Sequence, residues 1–247
     1  MSPVKKEKIY QSLPHIYDHL MRKIRYDYWA DYLFRLASEY ITTKASVLEL
    51  AAGNCNLAKF LVKNYPDLIV SNLSIGMLDS SDNKTLRKVC CDMIALPFKK
   101  HFDLIYITFD SINYLLTKKK ILLLFQEVKN ILSNDGILTF DASLERNSIC
   151  HVSEPIRKAK HNGYNYVHKS IYNKKTHIHK NIFDITFPDG NIYEEIHRQK
   201  ILDFHSFFDL IEKAGLYVVE CFDAFTFKNG KASSKRAQFV VKKVQER

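Results

Sequence analysis

Glycine is scarce in this chain. Seven of 247 residues are glycine, less than half the ~7% share usual in globular proteins, which excludes a collagen-like repeat and makes each glycine a position where backbone conformation counts. Cysteine is also sparse. The five (Cys55, Cys90, Cys91, Cys150, Cys221) form an odd set with no Cys-x-x-Cys spacing. That argues against a disulfide framework and a cysteine zinc site, and predicts a reducing compartment, the cytoplasm. Long apolar runs are missing too. A stretch such as Ile121-Leu122-Leu123-Leu124-Phe125 falls far short of the ~20 residues of a membrane span, and Met1-Ser2-Pro3-Val4-Lys5-Lys6 lacks the apolar stretch of a signal peptide. No G-x-S-x-G, H-E-x-x-H or G-x-G-x-x-G is present, so the short signatures of hydrolases, zinc proteases and dinucleotide enzymes are absent.

What is present is an ordinary globular composition with a basic balance. Apolar residues make up 46% and charged residues 26%, with 37 Lys and Arg against 27 Asp and Glu, a net charge of +10. Basic proteins bind nucleic acid, anionic surfaces or acidic substrates. Here the lysines are spread along the chain, with short runs only at Lys99-Lys100 and Lys118-Lys120, which reads as a solvated surface rather than a nucleic-acid footprint.

The hydropathy pattern changes twice. Residues 12–40 read as helical, with Trp29, Leu33, Leu36 and Tyr40 at helical spacing and Pro14 in the first turn of a shorter helix carrying Ile16, Tyr17, Leu20 and Met21. Five short strands then alternate with helices: Ser46 to Ala51, Leu68 to Leu73, Lys88 to Cys91, Phe102 to Ile107 and Gly136 to Asp141. The intervening helices carry Leu57, Phe60 and Leu61 in one case, and Ile121, Leu124, Phe125, Val128 and Leu132 in another. Near-continuous apolar strands separated by helices predict a parallel sheet covered on both faces. From about 143 to 201 the pattern is alternating and antiparallel, with strands in 164–168, 176–187 and 191–202 and a turn at Pro188-Asp189-Gly190. A helix from Phe204 to Ala214, capped by Asp203 and closed by Gly215, and strands at 216–222 and 237–244 return to the core. The predicted architecture is therefore α/β: a doubly wound, mostly parallel seven-stranded sheet with an antiparallel β insertion after strand five. Its parts are N-terminal helices over 1–45, a core over 46–142 and 203–247, and the insertion over 143–202.

In such a sheet, ligands bind beyond the carboxyl ends of the strands. After the first strand comes Glu49-Leu50-Ala51-Ala52-Gly53-Asn54-Cys55-Asn56, a turn of small residues into a helix. After the second comes Asn72-Leu73-Ser74-Ile75-Gly76-Met77-Leu78, and after the third Cys91-Asp92-Met93-Ile94-Ala95-Leu96-Pro97-Phe98. Their order and spacing resemble the class I S-adenosylmethionine-dependent methyltransferases over nearly the whole chain. Within that class the chain looks most like small bacterial members with an N-terminal Tyr-Asp helix, here Tyr17-Asp18-x-Leu20-Met21 with Tyr26-x-x-Trp29, and an Asp-Ser-x-Asn-Tyr-Leu segment, here Asp110 to Leu115.

The resemblance implies a Rossmann-like fold, S-adenosylmethionine as cofactor and S-adenosylhomocysteine as product. Ala51, Gly53 and Asn54 would face the methionine part, with Glu49 anchoring the loop or reaching the amino group through water. Asn72 and Leu73 would reach the ribose, with Met77 nearby; Asp92 would bind the adenine amino group, and Met93 and Phe109 the ring. Tyr17, Tyr26 and Trp29 would close over the cofactor, and Tyr17, Asp110 and His197 would serve the transfer, His197 as proton acceptor. Asp110 has an alternative reading as a helix cap, Tyr17 as a packing residue and His197 as a satisfied surface histidine. Asn72 replaces the acidic residue usual at its position, and Ala51 and Cys55 replace glycines, so weakened cofactor binding is expected. The histidines His161, His168, His177, His179 and His197 share the insertion, with His177 and His179 on one strand face. Without a cysteine among them they read as a polar strand face or an acceptor-site wall rather than a metal site. The leading reading is a cytoplasmic enzyme acting on a small-molecule acceptor, with the insertion covering the acceptor or pairing two copies through its edge. An RNA or protein methyltransferase and a non-catalytic module with a degenerate cofactor site are the alternatives.

Overall fold

A computed structural model describes residues 3–245. The chain opens with strand β1 (Val4–Lys6), a 3-10 turn at Leu13–His15, and helices α1 (Tyr17–Leu20) and α2 (Tyr26–Ser38). Pro14 lies in the first turn of the 3-10 segment, as its fixed φ favours. Helix α2 buries Ala30, Tyr32, Leu33, Leu36 and Ala37, a stripe at helical spacing. The core follows as β2 (Val47–Leu50), α3 (Ala58–Leu61), β3 (Ile69–Asn72), α4 (Ile75–Asp79), β4 (Arg87–Cys90), β5 (Phe102–Ile107), α5 (Lys118–Ile131) and β6 (Leu132–Ser143). Next come α6 (Glu145–His151) and four strands, β7 (Ile156–His161), β8 (Tyr164–Asn173), β9 (Ile178–Thr186) and β10 (Ile192–Lys200), before α7 (Phe204–Lys213), β11 (Leu216–Asp223) and β12 (Arg236–Lys243) close the fold.

Seven strands form the central sheet in the order β11-β12-β6-β5-β2-β3-β4. The pairs β2·β3, β3·β4, β2·β5 and β5·β6 are parallel, while β12 runs antiparallel to both its neighbours. Burial on both faces explains the near-continuous apolar strands. Leu48, Leu50, Ile105, Ile107 and Phe140 pack with α5 and α7 on one side, and Val47, Val70, Leu104 and Tyr106 pack with α2 and α3 on the other. Asp203 caps α7 by accepting from the Ser206 N–H, and Gly215 after it takes φ +74°.

The insertion is a second sheet in the order β1-β10-β9-β8-β7. The helical reading of the N-terminal region missed β1, which pairs in parallel with β10. Three residues are too short to show alternation, and their partner lies almost the whole chain away. Strand β7 and helix α6 were also unread. The exposed residues of β7 (Ile156, Arg157, Lys158 and Lys160) give it no apolar face. Of the predicted strands, the first runs on to Asn173 as β8, while β9 and β10 are shorter than the expected 176–187 and 191–202. No described helix is long and apolar enough to cross a membrane.

Candidate active site

The sheet order reverses beside β2, whose two parallel partners β3 and β5 are reached in opposite directions, and a crevice opens there beyond the carboxyl ends of the strands. A cavity of about 980 Å³ occupies it, at the upper end of the range for small-molecule sites. Its floor comes from the turns after β2, β3, β4 and β5, and its ceiling from the insertion sheet and the segment from Lys8 to Trp29.

On the floor, the turn after β2 holds Ala51, Gly53 and Cys55 at φ of 56°, 58° and 62°. Two side-chain-bearing residues thus occupy left-handed positions where glycine is favoured, each costing ~1–2 kcal/mol. Cys55 is fully buried and packs into the core, where burial pushes its thiol up to about 11. Its side chain is not part of the cavity wall. Asn72 fixes the turn: the Gly53 N–H donates to its Oδ1 (3.2 Å), while its Nδ2 donates to the Ser74 carbonyl (3.2 Å). The amide is therefore a brace that an aspartate could not reproduce, since a carboxylate would face the Ser74 oxygen. Asp18 of α1 reaches across to accept from Asn54 (2.7 Å) and Asn56 (2.8 Å). Asp92 turns one oxygen back onto the Ile94 N–H (3.1 Å).

Among the residues expected at the cofactor, Tyr17, Tyr26, Trp29, Ala51, Gly53 and Asn54 line the cavity, as do Asn72, Leu73, Asp92, Met93 and Phe109. Glu49 and Met77 are not part of its wall. Glu49 lies buried on β2 and accepts from the Tyr106 hydroxyl (3.0 Å), and burial raises its carboxyl to about 8. Met77 packs under the turn, where a Cβ built on Gly53 would lie 3.6 Å from its Cε and 3.7 Å from the Tyr17 hydroxyl. Both support the turn from behind, because a four-residue strand with every residue buried sends Glu49 into the core. Above the turn, Trp29 stacks on Phe109 at 3.9 Å and meets Phe225 at 3.8 Å.

Beside the floor, Phe109 and Asp110 take φ of 57° and 49° in succession, a strained pair of the kind that clusters at functional sites. Asp110 caps nothing with its side chain. Its N–H donates to Asp141 Oδ2 (2.8 Å), its Oδ1 accepts from Arg236 (3.1 Å) and its Oδ2 from Gln199 (3.0 Å). Arg236 also pairs with the buried Asp141 and lies over the Trp29 ring. Burial alone would lower the guanidinium's pKa, but Asp110 and Asp141 carry it far above its usual range. The strained turn is thus held from three strands. Asn113 of the same segment points away and bonds the backbone at Ser143 and Lys200, tying core to insertion.

The ceiling is where sequence reasoning missed most. Along β10 the buried residues are Glu195, His197 and Gln199. A strand burying its polar face, spaced i, i+2, i+4, carries a legible signal: that face meets something other than an apolar core. His197 Nε2 lies 3.0 Å from Glu195 Oε2, and its Nδ1 lies 3.2 Å from the Tyr114 hydroxyl. Because Glu195 can only accept, Nε2 carries the proton and Nδ1 accepts from Tyr114. Glu195 also accepts the consecutive N–H groups of Tyr10 (2.7 Å), Gln11 (3.0 Å), Ser12 and Leu13 (2.8 Å), which fastens the N-terminal segment over the cavity. Burial would raise its pKa, but His197 and these amides hold it below the ordinary value. His177 does not share a face with His179; it sits in the turn before β9 at φ 51°. Tyr17, Asp110 and His197 all border the one cavity.

Residues 47–136 match the family model of a methyltransferase domain. A Geobacillus sp. (strain WCH70) protein named as a methyltransferase is 26% identical over 245 residues, covering 95% of this chain and 99% of its own. An S-adenosylmethionine-dependent methyltransferase from Clostridium acetobutylicum ATCC 824 superposes with a TM-score of 0.79 at 22% identity, over 95% of this chain and 98% of its own. The sugar N-methyltransferase KedS8 from Streptoalloteichus sp. ATCC 53650 gives 0.74 at 16% identity over 99% of each chain. The fold is the Rossmann-like α/β fold of these methyltransferases.

Proposed function

We propose that this chain is an S-adenosylmethionine-dependent methyltransferase that methylates a nitrogen or oxygen nucleophile on a small molecule. The observation that carries this reading is one cavity with a backbone turn built for a ligand on its floor and a Tyr114–His197–Glu195 chain on its ceiling. The methyltransferase-domain match over the floor residues supports it.

The floor fits the cofactor. The turn at Ala51–Asn54 exposes backbone to the methionine part, and Asp92 keeps one carboxylate oxygen free for the adenine amino group. Asn72 Oδ1 retains a lone pair for a ribose hydroxyl despite its bond to Gly53. When bound, S-adenosylmethionine supplies an electrophilic methyl group. The protein's task is then to align the acceptor, exclude water and take a proton. The Trp29–Phe109–Phe225 stack and the latched N-terminal segment exclude water. His197 takes the proton through the Tyr114 hydroxyl, and Glu195 orients the ring. Tyr17, whose hydroxyl overlies the Gly53 turn, and Asp110, held by Arg236, shape the space between cofactor and acceptor.

Thermal unfolding with S-adenosylmethionine, S-adenosylhomocysteine and NAD tests the reading. A ligand at 100 times its Kd stabilises by ~2.7 kcal/mol, several degrees in Tm for a domain of this size. Shifts with the two sulfur ligands and none with NAD are expected. The absence of any shift at millimolar concentration would overturn the assignment.

A further inference from the structure

The cavity's ceiling beyond His197 has a chemistry of its own, and its meaning rests on the methyltransferase reading above. His168 of β8 lies flat on Phe183 (4.5 Å between centroids, 11° between planes), and its Nε2 donates to Asn181 Oδ1 (2.8 Å), so its Nδ1 is a lone-pair acceptor. His179 of β9 is 3% exposed; its Nε2 meets the Ser170 hydroxyl (2.8 Å), and its Nδ1 is a buried polar atom with no hydrogen-bond partner. His151 of α6 stands edge-on to His179 at 6.1 Å. All four of His151, His168, His179 and Asn181 line the cavity.

Charge on this face is already spent. Asp110 is engaged by Arg236 and Gln199, and Glu195 by four amides and His197. Arg157 borders the cavity but is largely exposed and lies 3.7 Å from Glu154. Burial, with neighbouring cations, lowers the pKa of His151 and His168, and burial with His151 beside it takes His179 down to about 4, so the imidazoles are neutral at pH 7. A hydrocarbon ligand would leave these nitrogens and amides unpaired, each at a cost of ~1–3 kcal/mol. An ionic ligand would find no uncommitted buried counter-charge. A hydroxyl group both donates and accepts, and so matches imidazole lone pairs and amide N–H groups together.

We propose that the face formed by His151, His168, His179 and Asn181 binds the body of the methyl acceptor, and that this body is an uncharged, hydroxyl-rich ring of the polyol or sugar class.

The test uses the full chain saturated with S-adenosylhomocysteine and saturation-transfer NMR on a mixture of methyl glucoside, methyl xyloside, cyclohexylamine and benzyl alcohol. Transfer to the two glycosides and not to the cationic amine or the aromatic alcohol is expected. His179→Leu and the milder His168→Gln should each weaken glycoside binding about tenfold while S-adenosylhomocysteine affinity changes less than twofold. Preference for cyclohexylamine or benzyl alcohol, no glycoside binding at tens of millimolar, or wild-type glycoside binding in both variants would overturn the inference. Failure of S-adenosylhomocysteine itself to bind would instead remove the methyltransferase reading, and this inference with it.

Discussion

The floor and the ceiling of the cavity are built by different means. The floor is backbone: strand ends and turns whose shape is set within a few residues, as where Ala51, Gly53 and Cys55 share one turn. The ceiling is side chains, brought together by the register of an antiparallel sheet and one segment from the far N-terminus. Behind the floor a buried carboxyl (Glu49) is kept neutral, and in the ceiling desolvation keeps neutral the imidazoles of the buried His179, the half-buried His168 and the more exposed His151. On the proposed function, which asks the cavity to hold a cofactor and an acceptor, the ceiling can vary while the floor's local backbone stays as it is.

Breaking the ceiling has the largest expected effect. Glu195→Ala strips one buried acceptor from four backbone N–H groups and from His197. With ~1–3 kcal/mol for each donor left unpaired, chemical denaturation should show a loss of at least ~4 kcal/mol, or a N-terminal segment cut by protease while the core stays folded. A loss below ~1 kcal/mol with the segment still protected would mean that the latch is not where the cover is held. Arg236→Leu comes next, since it strands Asp110 and the buried Asp141 at the junction of the two walls. About 3–5 kcal/mol is expected, with Arg236→Lys recovering part of it, and an effect under ~1 kcal/mol would refute the clamp.

The neutral groups predict opposite pH behaviour. The Glu49 carboxyl ionises near 4.5 when unfolded and at about 8 when folded. The folded state holds the extra proton in that window, so stability falls as pH rises from 4.5 toward 8, by about 3 kcal/mol at pH 7. In Glu49→Gln this slope should vanish from urea midpoints taken at pH 5, 6, 7 and 8; an unchanged slope assigns it elsewhere. His179 runs the other way. Its pKa drops from 6.5 to about 4 on folding, so its contribution is complete above pH 6.5 and is lost as pH falls toward 4, about 2 kcal/mol by pH 5. His179→Gln should flatten the acid limb in the same series, leaving the alkaline limb alone.

The two walls were unequally legible in the sequence, for the same physical reason. Strand, turn and cap chemistry is local, so the core strands, the Asp203 cap, Gly215 and the floor residues from Ala51 to Met93 could be read from neighbours in the chain. The direction of Glu49 could not, because a strand buried on both faces gives no alternation to say which side holds the ligand. Arg236 meets Asp110 across more than a hundred residues, and β1 finds β10 only in three dimensions. Glu195, His197 and Gln199 did leave a trace, a polar face on a strand that should bury an apolar one, but only the structure shows that this face is turned inward.

The smallest effect belongs to the floor, where strain is local and relief should be local too. Ala51 at φ 56° and Cys55 at φ 62° carry a Cβ where the left-handed region favours none. Ala51→Gly should stabilise by about 1 kcal/mol, the relief of the clash less the entropy that glycine loses on folding, and read as a Tm rise of a few degrees at most. Because Ala51 lines the cavity and Cys55 faces the core, the pair separates strain from contact. Cys55→Gly relieves the same backbone strain but vacates packed volume, and should come out destabilised. If both variants gained stability equally, strain alone would govern the turn. If Ala51→Gly lost stability, the left-handed turn would be held by its Asn72 brace at no cost to the alanine, and the three substitutions that set this turn apart would be neutral to the fold.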